Sequence, residues 1–573
     1  MTATEKDPMT ATEQTDRFPA EPERLGNGSA IRAAAQRDDA TRYLCAAAHI
    51  DRTFADLAIR EFLTEPLRAT PPSPAVDAAA VLREAGAARR RRMLRDWVLL
   101  GILLLLLITR FTVALAWFLF GFGMAIARVA RAGRPARLER VARSRIWFRR
   151  TLWVVAVVLM LAGLAVLAGN LALTGVVAAV PGLGALPSSV GFDPFGVALS
   201  LLALAVLVLD QYAVSYLLTR SFRRGMFTAH PGVDTWPGER WVRGMGHRRY
   251  QRRLERIARA TAEDNLTAYR DYDPFVGAGA QGEPLREPIQ LQAEKAAGDT
   301  QRTEPFTLAE LYDHVTEQLL ALREAPSLAP SARLAELSVH SQVVVPVGEL
   351  LQNLGDPATR VVLPSLEEPP SQTVPPDVIA DVTERSLEWM RYYRCFRVET
   401  WSRDVTVSMY LHFGVSERML YFEWIPYVLY PIADSYRVVD RKPLEPLGPL
   451  RDAMIEWMRL PGSLPPRIGP LFRRIRPIAP GRGVVLAAQY GSSYSLRELA
   501  AAGEPQNYFQ DADITRYVQL LTGRTWRAIG EFLEQHGIEV TDFMSQAAAI
   551  GDQYTFNGPV YTTSVGSNNR VQG

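Results

Sequence analysis

Three long apolar runs divide the chain. Residues 97–127 carry one charge, Arg110. Residues 151–182 carry none, and residues 195–219 carry one, Asp210. A helix needs about 20 apolar residues to cross a bilayer, so the second and third runs predict transmembrane helices. The first run admits two solutions. As one helix, its 31 residues extend about 46 Å, well beyond the ~30 Å apolar core. As a hairpin turning near Thr109 and Arg110, it has a short first leg, 97–108, and no Gly, Pro or Asn at the turn.

Elsewhere the pattern is amphipathic. Tyr43, Ile50, Phe54, Leu57 and Phe62 recur at helical spacing within 39–66, and Pro66, Pro71, Pro72 and Pro74 close that helix. A second helix is predicted over 75–95. The two predict a small helical hairpin packed on another part of the chain. Residues 304–550 are long enough for a core of their own. Thr307 and Glu310, then Ser495 and Glu498, have capping-box spacing. Helices are expected behind each, and also from Pro375 to about Arg394, over 447–460 and over 513–536. Strands are expected at 338–347 and 359–363. From 395 to 430 the period falls to two, so 395–401, 404–413 and 419–430 predict an antiparallel meander. Pro426 and Pro431 put its third strand at an edge or a bulge, and 435–440 offers a fourth. The fold class is therefore an α-helical membrane region of three to four apolar segments plus a soluble cytoplasmic α+β domain.

The remaining segments are less patterned. Residues 1–38 have few large apolar groups and are expected to be disordered. Residues 39–95 form the cytoplasmic helical segment, and 96–219 the membrane block. A basic helix and a linker rich in Gly, Pro and Gln fill 220–303. Residues 551–573 form a tail with short alternating stretches, able to add a strand to a partner.

Charge fixes the orientation. The net charge is +3, but residues 89–95 hold five Arg and no acid. Residues 128–150 hold nine Arg and one Glu, and residues 220–259 eleven Arg and three acids. The loop 181–194 between the second and third runs has no Arg or Lys. Excess Arg marks the cytoplasmic side, so the second run leads out and the third leads back. Both flanks of the first run are basic and call for the inside, which favours the hairpin. The expected location is the plasma membrane, with the C-terminal domain cytoplasmic. Two cysteines, Cys45 and Cys395, make no disulfide framework and suit a reducing compartment.

Candidate chemistry is sparse. The seven histidines form no HExxH and stand near no CxxC, so no catalytic motif, metal site or cofactor is indicated. Arg110, Asn170 and Asp210 are the polar groups of the apolar runs. A structural role is favoured for them over ion conduction, with an Arg110–Asp210 bridge possible if the first run is one span. Arg89, Arg90, Arg91, Arg92, Arg248, Arg249, Arg252 and Arg253 are candidates for contact with anionic headgroups of the inner leaflet, in preference to nucleic acid. Glu423 and His412 read as ordinary strand residues. Gly277 and Gly279 follow no strand, so 273–279 reads as a turn pinned by Phe275 rather than a phosphate loop. Twelve aromatic residues gather between 389 and 430, mostly for core packing.

Residues 41–49 (TRYLCAAAH), the Arg run before the apolar spans and 273–279 (DPFVGAG) together resemble multi-pass membrane proteins of actinobacteria (Streptomyces-like). That group has no assigned activity. The resemblance implies membrane topology and source, and carries over no catalytic residue. The expected function is a polytopic membrane protein presenting a cytoplasmic interaction domain to a protein partner, as scaffold or sensor. A homo-oligomeric pore or effector gated by that domain is the alternative.

Overall fold

The computed structural model describes residues 39–545, with longer breaks at 133–150, 165–193, 228–252, 325–333 and 473–486 and several shorter ones. The N-terminal 38 residues, the tail 551–573, Asn170, Arg248, Arg249 and Arg252 lie outside the described residues.

The chain enters as two helices, not one. Helix α1 (39–50) stops at Asp51, whose carboxylate accepts from the Thr53 N–H at 2.7 Å and so caps α2 (Arg52–Ile59). A π-helical turn, Arg60–Thr64, closes α2. Helix α3 (Ala78–Thr109) is capped by Asp77. It runs without a break from the soluble layer through Arg89–Arg95 into the first apolar run, and Arg110 (φ −140°, ψ 62°) ends it. Helices α4 (Phe111–Ala132), α5 (Thr151–Leu164) and α6 (Pro194–Ser221) follow.

The chain folds back at Arg110. Asp96 of α3 bonds Arg467 at 2.8 Å, and Gly462 lies against Gly121 and Ala125 of α4. A straight helix would separate 96 from 125 by about 43 Å, far more than the span from Gly462 to Arg467. Helix α5 in turn crosses α4 closely. A Cβ on Gly123 would come within 2.7 Å of the Ala156 carbonyl, and one on Gly163 within 2.7 Å of that of Ala116. Small residues at such crossings allow the close approach seen between helices in membranes.

The C-terminal half is built on a curled mixed sheet. Its strands are β1 (Leu266–Tyr269), β2 (Ala280–Gln281), β3 (Leu285–Gln290), β4 (Leu337–Pro346), β5 (Arg391–Thr400), β6 (Val405–Ser416) and β7 (Met419–Leu429). The order is β1-β4-β5-β6-β7, with β2 and β3 both on β7. Only β1–β4 is parallel. The meander 395–430 is present with slightly longer strands. Residues 280–290, inside the stretch 271–303 expected as linker, supply one edge of the sheet, and 266–269 just before it supply the other. Pro426 falls where β7's outer partner is interrupted, since β3 pairs up to Trp424 and β2 begins at Tyr427. Its missing N–H therefore costs no ladder bond on that side.

Helix α7 (Leu308–Leu320), with the expected Thr307–Glu310 box, and α11 (Tyr508–Gln535) cover one face. Helix α8 (Pro376–Glu384) packs beside them and ends well before Arg394, where β5 has taken over. Helices α9 (Gly448–Arg459) and α10 (Leu464–Phe472) leave this domain and pack on α3, α4 and α6. Two expected strands are helical. Asp356 caps Pro357–Val362 with Pro at the first turn, and 435–440 is a turn leading into Val438–Arg441.

The second sheet face is closed by residues 273–279. Phe275 stacks on Tyr410 at 3.8 Å and meets Tyr393 and Tyr427 edge-on. Asp273 accepts from Tyr427 Oη and from the Phe275 N–H, both at 2.9 Å. Gly277 and Gly279 sit at φ +103° and +96°. A Cβ on either would lie 2.3 Å from the carbonyl of Pro72 or of Val428. Their N–H groups donate to the half-buried Glu498, at 2.7 and 3.0 Å. The turn is thus a clasp pinned by Phe275, as the sequence implied. Phe275→Ala is expected to cost about 3–5 kcal/mol, read as a lower unfolding midpoint of the detergent-solubilised protein. A loss below about 1 kcal/mol, typical of surface changes, would mean the nest is not structural.

Candidate functional site

Two polar constellations stand out. The first lies at the base of the apolar helices. Asp210 of α6 is paired with Arg91 (3.1 Å) and Arg95 (2.8 Å) of α3. Asp96 accepts from Arg95 (3.0 Å), Arg467 (2.8 Å) and Arg52 (3.4 Å). Glu456 of α9 accepts from Arg467 (2.6 Å) and Gln211 (3.0 Å) and stands 3.4 Å from Arg95. Trp97, Tyr212 and Tyr216 stand exposed at this level, where aromatic rings mark a membrane–water boundary. The network joins α2, α3, α6, α9 and α10, five elements from both ends of the chain.

These contacts correct several sequence expectations. Asp210 is paired, but not with Arg110. Arg110 sits at the hairpin turn, 6.0 Å from the Phe195 ring at the far end of α6. Arg92 is buried and donates to the Ala48 carbonyl. Arg89 pairs with Asp56 at 3.2 Å, and Arg90 is half-buried. Arg253 is buried and donates to the carbonyls of Phe62 (3.1 Å) and Arg68 (2.5 Å). Arg91, Arg92 and Arg253 therefore face protein rather than headgroups. The basic run reads as a flanking signal in one dimension, while its acids arrive from α6 and α9.

The N-terminal layer has its own anchor. Arg42, inside the TRYLCAAAH stretch, grips Asp440 at 2.7 and 2.8 Å and the Phe222 carbonyl at 2.7 Å. His49 and Glu84 form a buried pair at 2.8 Å. Tyr436 donates to Asp51 at 2.8 Å. The helical segment 39–95 thus packs on the sheet domain and on the end of α6. Both cysteines are free and buried.

The second constellation is a cleft of about 420 Å³ on the clasped face of the sheet, beyond Phe275. Arg286 and Glu423 pair across β3 and β7 at 2.5 Å, and Tyr393 donates to Glu423 at 2.8 Å. His412 Nδ1 lies 2.8 Å from the Tyr392 carbonyl, so Nδ1 carries the proton. Burial keeps this ring below its usual pKa. Arg391, Glu388, Leu387 and Tyr421 complete the rim. Glu423 is therefore neither a free tuned carboxylate nor a solvent-facing strand residue, and His412 is a hydrogen-bonded strand histidine. The cleft offers an arginine, a neutral imidazole, a phenol and an apolar wall, a set suited to recognition. Among the described residues no cluster of His, Cys, Asp and Glu could hold a metal ion.

Sequence reading missed Asp96, Glu456 and Arg467. The available signal was an acid directly after a stretch of five Arg in seven residues and a Glu-Trp pair between Met454, Ile455 and Met458.

The architecture is an apolar helical region joined by buried ion pairs to a curled mixed-sheet domain. Residues 282–569 match the family model described as the AbeC-like domain, and the chain belongs to that family. Neither the curated proteins nor the solved structures contain a match. The matched region takes in β3 to β7, α9 and α10. It leaves out the apolar helices α3–α6, β1 and the Phe275 clasp.

Removing one partner of a buried ion pair strands the other charge, at about 3–5 kcal/mol. Asp96→Ala is expected to destabilise by that order, and combination with Arg467→Ala to add much less than the single effects sum to. Additive losses in detergent unfolding would mean the two do not act as one unit. A pH effect follows from His340, which burial and Arg397 hold at about 4, against about 6.5 in an unfolded chain. Between those values the unfolded chain binds a proton that the folded one refuses, so stability falls as pH drops through this window. His340→Asn should flatten that fall between pH 6.5 and 4.5. An unchanged slope would rule His340 out as its source.

Proposed function

We propose that this is a multi-pass plasma-membrane protein, without catalytic activity of its own, that presents its mixed-sheet domain on the cytoplasmic side as a scaffold or sensor. Its binding surface is the cleft around His412, Arg391 and Tyr421. The observation that carries this reading is apolar surface left uncovered. Phe111–Arg128 and Phe195–Ser221 are long and apolar enough to cross a membrane, and most of each is not buried against protein. Leu104, Leu105, Ile108, Phe111, Val154, Leu161 and Leu209 are exposed, an arrangement that a water-soluble surface rarely tolerates. A soluble core helix would be enclosed instead.

Three further features support the orientation. The fold-back at Arg110 lets both basic flanks of the first run stay on one side. Arg110 itself stands at the opposite end of the bundle, where a long side chain reaches the far headgroups. The ionic knot fixes α9 and α10, which come from the C-terminal half of the chain, to the apolar helices. Topology is tested with Tyr421→Cys, half-exposed in the cleft. A membrane-impermeant maleimide should leave this position unlabelled in intact cells and label it in inverted vesicles. Labelling in intact cells would place the domain outside and sink the proposal.

A further inference from the structure

Helices α9 and α10 belong to the sheet domain by sequence, yet they sit among the apolar helices. Trp457 donates its indole N–H to the Ser200 carbonyl at 2.9 Å, and its own carbonyl accepts from the Trp117 indole at 3.1 Å. Ser200 lies ten residues from Asp210 along α6, about 15 Å above the ionic knot. The connection Pro461–Ser463 packs against Gly121 of α4, where a Cβ would come within 2.9 Å of the Pro461 ring. A segment of the cytoplasmic domain therefore reaches past the middle of α6, to within two turns of its far end.

Its charges are managed. Glu456 and Arg467 close each other in the knot at 2.6 Å. Arg451 and Asp452 pair at 3.2 Å near the start of α9. Beside this pair, which is exposed (63 % and 49 %) and long enough to reach headgroups, α9 leaves an apolar stripe uncovered. Leu447, Leu450 and Met454 recur at spacings of three and four, hence on one face, and all three are exposed. Helix α9 packs on α6, most of whose own surface is apolar and uncovered. Backbone entering a membrane is tolerated where it is helical, and Gly448–Arg459, Pro461–Ser463 and Leu464–Phe472 are helical.

We propose that Gly448–Phe472 is a re-entrant element of the membrane region, with Leu447, Leu450 and Met454 turned to lipid acyl chains. The inference rests on the membrane reading above and extends it: the AbeC-like domain contributes its own hydrophobic wedge to the bilayer. The wedge, held by Arg467 and Glu456, would be the part of the sheet domain that senses the inner leaflet.

The test is spin-label accessibility in the full chain reconstituted into liposomes. Cys45 and Cys395 are buried, so added cysteines at exposed positions take the label. Leu104→Cys and Leu209→Cys serve as lipid references, and Tyr508→Cys, exposed at the start of α11, as the aqueous reference. Labels at Leu450→Cys and Met454→Cys should respond to oxygen several-fold more than to a water-soluble nickel chelate, as at 104 and 209. If 450 and 454 behave like 508 while 104 and 209 report lipid, the wedge is overturned and the membrane reading stands. If 104 and 209 also report water, the membrane reading fails with it. A label at 450 or 454 shielded from both relaxants would mean protein covers this face, which also overturns the proposal.

Discussion

Four arginines and three acids share a small volume where the apolar helices meet the rest of the chain. Arg91 and Arg95 bind Asp210; Arg95, Arg467 and Arg52 bind Asp96; Arg467 binds Glu456. A lone charge so buried would cost several kcal/mol, and a well-formed pair offsets that cost only with good geometry and further hydrogen bonds. Gain over an apolar core is therefore not the reason such a knot matters. Its consequence is asymmetry: each member is tolerable only while the others are present. Helices α2, α3, α6, α9 and α10 are held to one arrangement because any other would strand a buried charge.

That constraint organises what lies above and below it. Above it, α3 is free to be apolar for only about four turns before Arg110 ends it, and α4 must return alongside. Gly123 and Gly163 bring α4 and α5 into backbone contact. Below it, Arg42 of α1 joins the Phe222 carbonyl just past the end of α6 to Asp440. The clasp at Phe275 then ties the sheet to this layer, because Gly277 approaches Pro72 too closely for any side chain. The Arg42 anchor and the clasp are two separate attachments between the helical layer and the sheet domain, while the knot holds α9 and α10 to the apolar helices.

Much of the local structure was legible. The capping boxes at Thr307 and Ser495 formed as written, because cap geometry depends on neighbours three residues apart. The meander was legible because alternation with period two survives wherever one face is buried. Errors arose where long-range pairing decided. Residues 280–290 look like linker but become strands because β7 offers an open edge. Residues 359–363 look like a strand, yet Asp356 and Pro357 start a helix there. The amphipathic stretch 39–66 is broken by a single cap at Asp51.

The sequence by itself determined the apolar runs, their basic flanks and the pinned turn at Phe275, since hydropathy and glycine tolerance act locally. It also determined that Arg110 and Asp210 needed an explanation. Only the tertiary structure decided which charge meets which. Arg91 and Arg95 precede the apolar run and read as a flank, while their acids lie more than a hundred and more than three hundred and fifty positions later. It also decided that 448–472 leaves its domain for the helical bundle. Nothing within a helix's own periodicity specifies the surface it buries against. The partner face, here lined by Ser200, Gly121 and Asp96, is assembled from segments that meet only in the folded chain.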